Sequence, residues 1–447
     1  MRAAPTALLT DLYQLTMAQA YFELDMHDTA VFELFARKLP PTRRFLVAGG
    51  LEQALACIEQ LSFPDADLEF LARLGGFSRG FLDHLRGVRF TGAVHAMPEG
   101  TPLFADEPLL RVTAPILEAQ LLESRLLNIC HFQTVIASKA ARCVIAARGR
   151  RLVDFGLRRA HEADAALFAA RAAYLAGFDA TATVEAGRCF GIPLSGTLAH
   201  SFIEAHDSEE QAFSNFLRCS PVPTTLLIDT YDTQRAVDRV IALSAQLAAR
   251  GEAAHLQAVR IDSGDLAREA RAARSKLDAA GFPHIQIVAS GGLDEWGVQA
   301  LAAAGVPIDA FGIGTALDAS TDAPALDMAY KLEAYAGTPR RKRSSGKATW
   351  PGAKQVYRER DAAARPLRDR IVLAQESAPG EALLVPVMER GERVGPRPEL
   401  AAAREYCRCE VARLPGALRA LEEGPAQYPV IVSASLQALA RQLDLAH

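Results

Sequence analysis

The sequence predicts an α/β protein in which a β/α-barrel-like segment, residues 116–325, is inserted into an α/β domain built from residues 1–115 and 326–447. Three observations carry this reading. In the middle of the chain, short apolar runs alternate with helical stretches at about thirty to forty residues per unit, the pattern of a parallel sheet wrapped by helices. Each run ends in glycine or polar residues: Asp154-Phe-Gly, Asp229-Thr, Asp262-Ser-Gly-Asp, Ser290-Gly-Gly and Gly312-Ile-Gly-Thr. In a β/α barrel such tips converge on one face, whereas an open sheet brings together only those near its switch point. The flanking segments share a different character, with short strands broken by Gly, Pro and charged residues.

Taken in order, residues 6–22 read as a helix with Thr10 and Asp11 near its start. "TAVFELFARKL" and "RFLVAGG" read as strands, "GLEQALACIEQL" as a helix, and residues 87–115 as several short antiparallel strands. A long helix starts after Pro115. The barrel strands are "LVDFG", "TLLIDT", "LQAVRIDSGD", "HIQIVASGG" and "IDAFGIGT", each of the first four followed by a helical stretch. In the tail, "YKLEAYAG", "KQVYRER", "DRIVLAQE" and "EALLVPVMERG" read as strands, followed by helices near 398–420 and 433–445. Both flanks are expected to pack as one domain.

Composition excludes several classes of function. Half of the 447 residues are hydrophobic and the formal net charge is −4, so electrostatics offers no reason for a nucleic-acid or acidic-membrane partner. Charged residues interrupt every apolar run before it reaches membrane-spanning length. The apolar part of "MRAAPTALLTDLYQLT" is too short for a signal peptide, so a cytoplasmic location is expected. Seven scattered cysteines contain no CxxC pair, and Cys407 and Cys409 have no second pair nearby; no metal site is expected from them.

The chemistry gathers at the strand tips. Ser290-Gly291-Gly292 and Gly312-Ile313-Gly314-Thr315 suit a phosphate, because glycine lets backbone N–H groups approach closely; each alone reads equally as a tight turn. Period-two alternation puts Arg260 and Asp262 on one side of their strand, fit for a phosphorylated sugar and an anionic co-substrate, or for an interior ion pair. "DFGLRRA" offers Phe155 as a flat apolar surface and Arg158 and Arg159 for carboxylate or phosphate, or else a buried core Phe beside solvated arginines. His200, behind Gly196-Thr197, suits a general base, a metal ligand, a nucleophile or a structural histidine. His206 points roughly 120° away from it on a helix, which argues against a ligand pair.

Together "DLYQLTM", "DFGLRRA", "GTLAHSFIEAH", "LIDTYDT", "VRIDSGDL", "ASGGLDE", "FGIGT" and "GKATWPGAKQVYR" resemble the nicotinate phosphoribosyltransferase family, in the family's order and from residue 11 to about 358. The resemblance implies the type II phosphoribosyltransferase fold and a homodimer. It also implies an ATP-coupled, ligase-type reaction of nicotinate with phosphoribosyl pyrophosphate, giving nicotinate mononucleotide for NAD synthesis, with Mg2+ accompanying the polyphosphates. By resemblance His200 is the residue phosphorylated by ATP and Asp229 the acid that orients it. Tyr13 and Phe155 sandwich the pyridine, Arg260 and Thr197 contact nicotinate, and Arg158 assists with anions. Asp262 takes a ribose hydroxyl, the loops Ser290, Gly291, Gly292 and Gly314, Thr315 hold the 5′-phosphate, and a flap carries Lys347 and Lys354. The zinc-binding cysteine cluster of some relatives is missing here. The alternatives are a nicotinamide phosphoribosyltransferase, a shorter quinolinate enzyme, or a catalytically dead barrel that binds or regulates.

Overall fold

The computed structural model describes residues 6–220, 222–251, 256–344, 346–422 and 427–445. Residues 1–5 of the N-terminal stretch discussed above lie outside the described residues. The chain forms two compact units, Lys139–Asp322 and, from the two flanks, Met1–Ser138 with Ala323–His447. It passes from the first flank into the inserted unit within one helix, Glu123–Ala147.

The inserted unit is built on six strands: β1 (Arg151–Asp154), β2 (Ala180–Thr181), β3 (Thr224–Leu227), β4 (Leu256–Ile261), β5 (Gln286–Ala289) and β6 (Ala310–Ile313). All neighbours pair in parallel, in the order β2-β1-β6-β5-β4-β3. That is chain order read around a ring and cut between β2 and β3, so the sheet is a curled, partly open barrel without the order reversal of a doubly wound sheet. The opening coincides with the longest connection, which holds the helices Val184–Phe190, His200–Glu204 and Glu209–Cys219. Leu226, Leu227, Val259, Ile261, Ile287, Phe311 and Ile313 are all fully buried, as expected where helices cover a parallel sheet.

Three strand-to-helix turns end on an aspartate that caps the next helix. Asp232 accepts from the Arg235 N–H at 2.9 Å, Asp265 from that of Arg268 at 3.0 Å, and Asp294 from that of Gly297 at 2.8 Å. Each satisfies a helix N–H that would otherwise lack a partner. In "DTYD" and "DSGD" the second acid is therefore the cap, which leaves the first, Asp229 and Asp262, free for other work. Elsewhere in this unit Lys139 is fully buried, bonded to Glu295 and 3.0 Å from Asp322, while Arg142 Nε donates to Glu295 at 2.9 Å. Trp296 closes over both cations, 5.0 Å from Lys139 and 5.4 Å from Arg142.

The flanking unit mixes strands from both ends of the chain. Thr29–Ala36 lies between Pro108–Pro115 and Met328–Tyr335, antiparallel to each, in a seven-stranded sheet. Lys354–Arg360 and Pro366–Leu373 centre a second, four-stranded sheet, and the helices Leu400–Arg413 and Ala434–Leu445 follow. Lys354 departs from the flap expected of it. It opens a strand, is buried, pairs with Glu33 at 2.9 Å and lies 3.7 Å from Glu333. An ammonium held by two acids inside a sheet is a structural tie, so only Lys347, which is exposed, retains the surface position a flap requires.

Candidate active site at the strand tips

Residues at the C-terminal ends of β1, β3, β4, β5 and β6 build one site. Phe155 follows β1, and its N–H donates to the Ile313 carbonyl of β6 at 2.8 Å, which fixes the ring's position. The ring lies across Gly312: a Cβ there would sit 2.3 Å from Phe155 Cε2. The Arg260 guanidinium stands 5.7 Å from the ring centroid. Its side chain is only 12% exposed, its closest acid is Asp262 at 3.9 Å, and its buried Nε has no hydrogen-bond partner. Burial holds its pKa below the ordinary arginine value, against the pull of Asp262 and Asp229. It remains a cation, since arginine titrates far above neutrality. A nearly buried cation with an unanswered N–H calls for an anion. Arg158, exposed in the turn after β1, adds its repulsion to this positive field.

Asp262 sits at the centre of the acid cluster. Ser290 Oγ donates to its Oδ1 at 2.5 Å, and its own N–H donates to Asp229 Oδ2 at 3.0 Å. Its Oδ2 faces Arg260 at 3.9 Å and His200 Nε2 at 4.0 Å. Asp229 also accepts from Ser263 Oγ at 2.6 Å, and its other oxygen, Oδ1, is buried without a partner. His200 opens the helix His200–Glu204, with its side chain 40% exposed. Its Nδ1 lies 3.1 Å from Thr230 Oγ1. The expected orienting contact from Asp229 is replaced: Thr230 holds the ring, Asp262 faces its other nitrogen, and Asp229 braces the backbone of Asp262. Thr230 is the site residue that sequence reasoning passed over, although it stands beside Asp229 in "IDT". Thr197 is half-buried, and its hydroxyl donates to the Leu198 carbonyl at 3.3 Å.

The glycine loops divide into packing and binding positions. Gly291, at φ +92°, has no room for a side chain, because a Cβ would fall 1.8 Å from the Asp262 carbonyl oxygen. Gly314 packs similarly on the Phe155 carbonyl. Gly292, at φ +68°, faces open space, and Thr315 is exposed. The N–H groups of Gly291, Gly292, Gly314 and Thr315 make no hydrogen bond to another described residue, so they can serve an anion. Ser290 is buried and its hydroxyl is spent on Asp262, so it positions the acid rather than the phosphate. Tyr13 belongs to the flanking unit, on the helix Leu12–Glu23, and is 47% exposed. His206 Nδ1 is 2.7 Å from the Phe202 carbonyl, within its own helical turn.

Among the described residues no group of three or more His, Cys, Asp and Glu side chains is arranged to hold a metal ion. None of the described helices is long and apolar enough to cross a membrane.

Comparison with known proteins places this arrangement in a family. The nicotinate phosphoribosyltransferase N-terminal domain, family and C-terminal domain profiles match residues 8–131, 150–346 and 378–440. A nicotinate phosphoribosyltransferase of Mycobacterium tuberculosis is 51% identical over 428 residues, covering 96% of this chain and 91% of the relative. The Bacillus subtilis enzyme of that name is 42% identical over 79% of this chain and 73% of its own length. Among solved structures, human nicotinic acid phosphoribosyltransferase superposes with a TM-score of 0.86 at 32% identity, over 97% of this chain and 100% of the human one. The chain belongs to the nicotinate phosphoribosyltransferase family.

Proposed function

We propose that this chain transfers the phosphoribosyl group of phosphoribosyl pyrophosphate to nicotinate, giving nicotinate mononucleotide and pyrophosphate as the first step of NAD synthesis from nicotinate. One observation carries the choice of base: the nearly buried Arg260, with its unpartnered Nε, stands over the Phe155 ring. A flat ring stacks on Phe155, and a carboxylate on that ring answers the guanidinium. Nicotinamide offers Arg260 only a neutral carbonyl, so the nicotinamide reading leaves a buried charge poorly matched.

The remaining residues fit the sugar transfer. As the pyridine nitrogen attacks C1 of the ribose, positive charge grows on the sugar and negative charge on pyrophosphate. The Asp262 carboxylate suits a ribose hydroxyl beside the growing positive charge. The uncommitted N–H groups of Gly291, Gly292, Gly314 and Thr315 suit the 5′-phosphate. Asp229, with its orphaned buried Oδ1, and Asp262 supply hard oxygen donors that would hold Mg2+ carried in with the polyphosphate. When bound, Mg2+ neutralises the leaving pyrophosphate.

We further propose that ATP phosphorylates His200, coupling its hydrolysis to transfer. If Nδ1–H donates to Thr230 Oγ1, Nε2 keeps its lone pair, 4.0 Å from Asp262 Oδ2 on a ring whose side chain is 40% exposed. The enzyme is proposed to act in the cytoplasm as a homodimer, with Tyr13 completing the pyridine pocket of the neighbouring subunit. Purified protein with phosphoribosyl pyrophosphate, Mg2+ and either base, with and without ATP, tests the reading. Nicotinate mononucleotide formed faster with ATP supports it, and preference for nicotinamide overturns it.

A further inference from the structure

Two buried acids that the proposed chemistry leaves unused lie beside the Phe155 turn. Asp154, at the end of β1, is 1% exposed and accepts from the Gly156 N–H and from Thr181 Oγ1, each at 2.7 Å. It thereby ties the Phe155-Gly156 turn to β2. Asp318 ends the short helix Thr315–Asp318 after β6, is 3% exposed, and has no donor for either carboxyl oxygen. Its carboxyl occupies the space where Gly156 has no side chain: a Cβ there would lie 2.1–2.3 Å from Asp318 Cγ, Oδ1 and Oδ2. An ionised carboxylate in that position would be buried, unpaired and beside a second negative charge.

We propose that Asp154 and Asp318 form a buried acid pair that holds one proton, carried on Asp318 and donated to Asp154, and that this pair positions Phe155 for the base. Asp154 then accepts three hydrogen bonds, from Gly156, Thr181 and Asp318, and the orphaned oxygens of Asp318 are accounted for. Burial first, and then the charge and hydrogen bond of Asp154, push Asp318 up to about 9. The helix Ala163–Leu175 packed beside it carries Asp164, Arg171 and Tyr174, β6 carries no titratable side chain, and the turn after β1 carries the exposed Arg158, Arg159, His161 and Glu162; none of these perturbs Asp318 as Asp154 does. Losing the proton puts two like charges against the Gly156 turn, and the turn carries Phe155. Asp318 is thus a positioning residue, several bonds removed from the substrate.

The effect on base binding rests on the function proposed above, whereas the shared proton does not. The first arm compares thermal unfolding of the wild type and Asp318→Asn between pH 6 and 10. The Asn amide donates to Asp154 without a titrating proton. The folded wild type keeps a proton that the unfolded chain has lost, so its stability relative to Asp318→Asn must fall as pH rises. The wild-type unfolding constant, relative to that of Asp318→Asn, is expected to rise about tenfold per pH unit, levelling above the folded-state value. Parallel profiles overturn the shared proton, whatever the enzyme's substrate.

The second arm measures KM for the pyridine base and for phosphoribosyl pyrophosphate separately. Asp318→Ala should raise the base KM several-fold with little change in the other, while Asp318→Asn restores the wild-type value and removes any rise of the base KM above pH 9. Equal rises in both KM values, or an Asn variant no better than Ala, overturn the positioning role. If Asp318→Ala does not fold, the alkaline KM profile of Asp318→Asn against wild type decides. Should nicotinamide prove to be the base, the same measurement is made with it, which separates failure of this proposal from failure of the substrate assignment.

Discussion

Removing the Arg260 guanidinium tests the base assignment most directly. In the folded protein its closest acid is 3.9 Å away and its Nε is buried without a partner, so its capacity for a strong contact is held in reserve for the ligand. A charge-assisted hydrogen bond to a carboxylate contributes about 1.5–3 kcal/mol, equivalent to roughly 10- to 150-fold in kcat/KM. Arg260→Ala also removes the guanidinium's contact with Phe155, about 0.5–2 kcal/mol, but that loss falls on every ring stacked there. The ratio of the losses for nicotinate and nicotinamide therefore isolates the carboxylate. The assay is the rate of mononucleotide formation over a range of each base, at fixed phosphoribosyl pyrophosphate, Mg2+ and ATP. The expected result is a loss for nicotinate about 10-fold or more beyond that for nicotinamide. Arg260→Lys should fall between, because an ammonium keeps the charge and loses the planar fork. The same factor for both bases would refute the reasoning and assign Arg260 to the sugar phosphate or to the fold.

His200→Ala should abolish labelling by γ-labelled ATP while leaving a slow, ATP-independent transfer; acid-labile label of wild-type intensity on the variant would remove His200 from that role. Gly312→Ala should weaken base binding sharply, since its Cβ would lie 2.3 Å from Phe155 Cε2, whereas Gly292→Ala meets open space and carries only the strain of φ +68°, about 1–2 kcal/mol. KM values for both variants separate ring displacement from backbone strain. Mixing Tyr13→Ala with His200→Ala subunits should restore about a quarter of wild-type activity at statistical exchange if Tyr13 acts across a two-fold dimer; no recovery, with exchange shown independently, puts Tyr13 outside the neighbour's pocket. Glu295→Ala strips the buried Lys139 and Arg142 of a shared carboxylate and should destabilise by about 3–5 kcal/mol, towards the lower end because Lys139 keeps Asp322; an unchanged Tm would contradict the buried network.

Some features were legible before any coordinates because they depend on residue type and period. Runs such as "LQAVRI" are apolar and short, and the helix-length segments between them require parallel strands, so a helix-wrapped parallel sheet with functional residues at its tips follows, whether closed or open. Roles within a tip depend on where the strand stops and the helix starts, which periodicity marks only to within a few residues. Hence "DSGD" showed two acids but not that Asp265 caps while Asp262 meets Arg260. The same limit hid Thr230 behind Asp229 as the partner of His200, because the helix His200–Glu204 reaches the β3 tip by a long connection with no period of its own. Glycines carry a second requirement that the sequence did not show. Gly291 and Gly312 read as phosphate turns, and each is also required by a neighbour's close approach, the Asp262 carbonyl and the Phe155 ring. Asp318 was the least legible of all, a single acid in "GTALDAS" whose partner comes from another strand. Its cost of burial appears only when the two tips meet, and a carboxyl kept there without a counter-cation has a physical rationale only if it carries a proton.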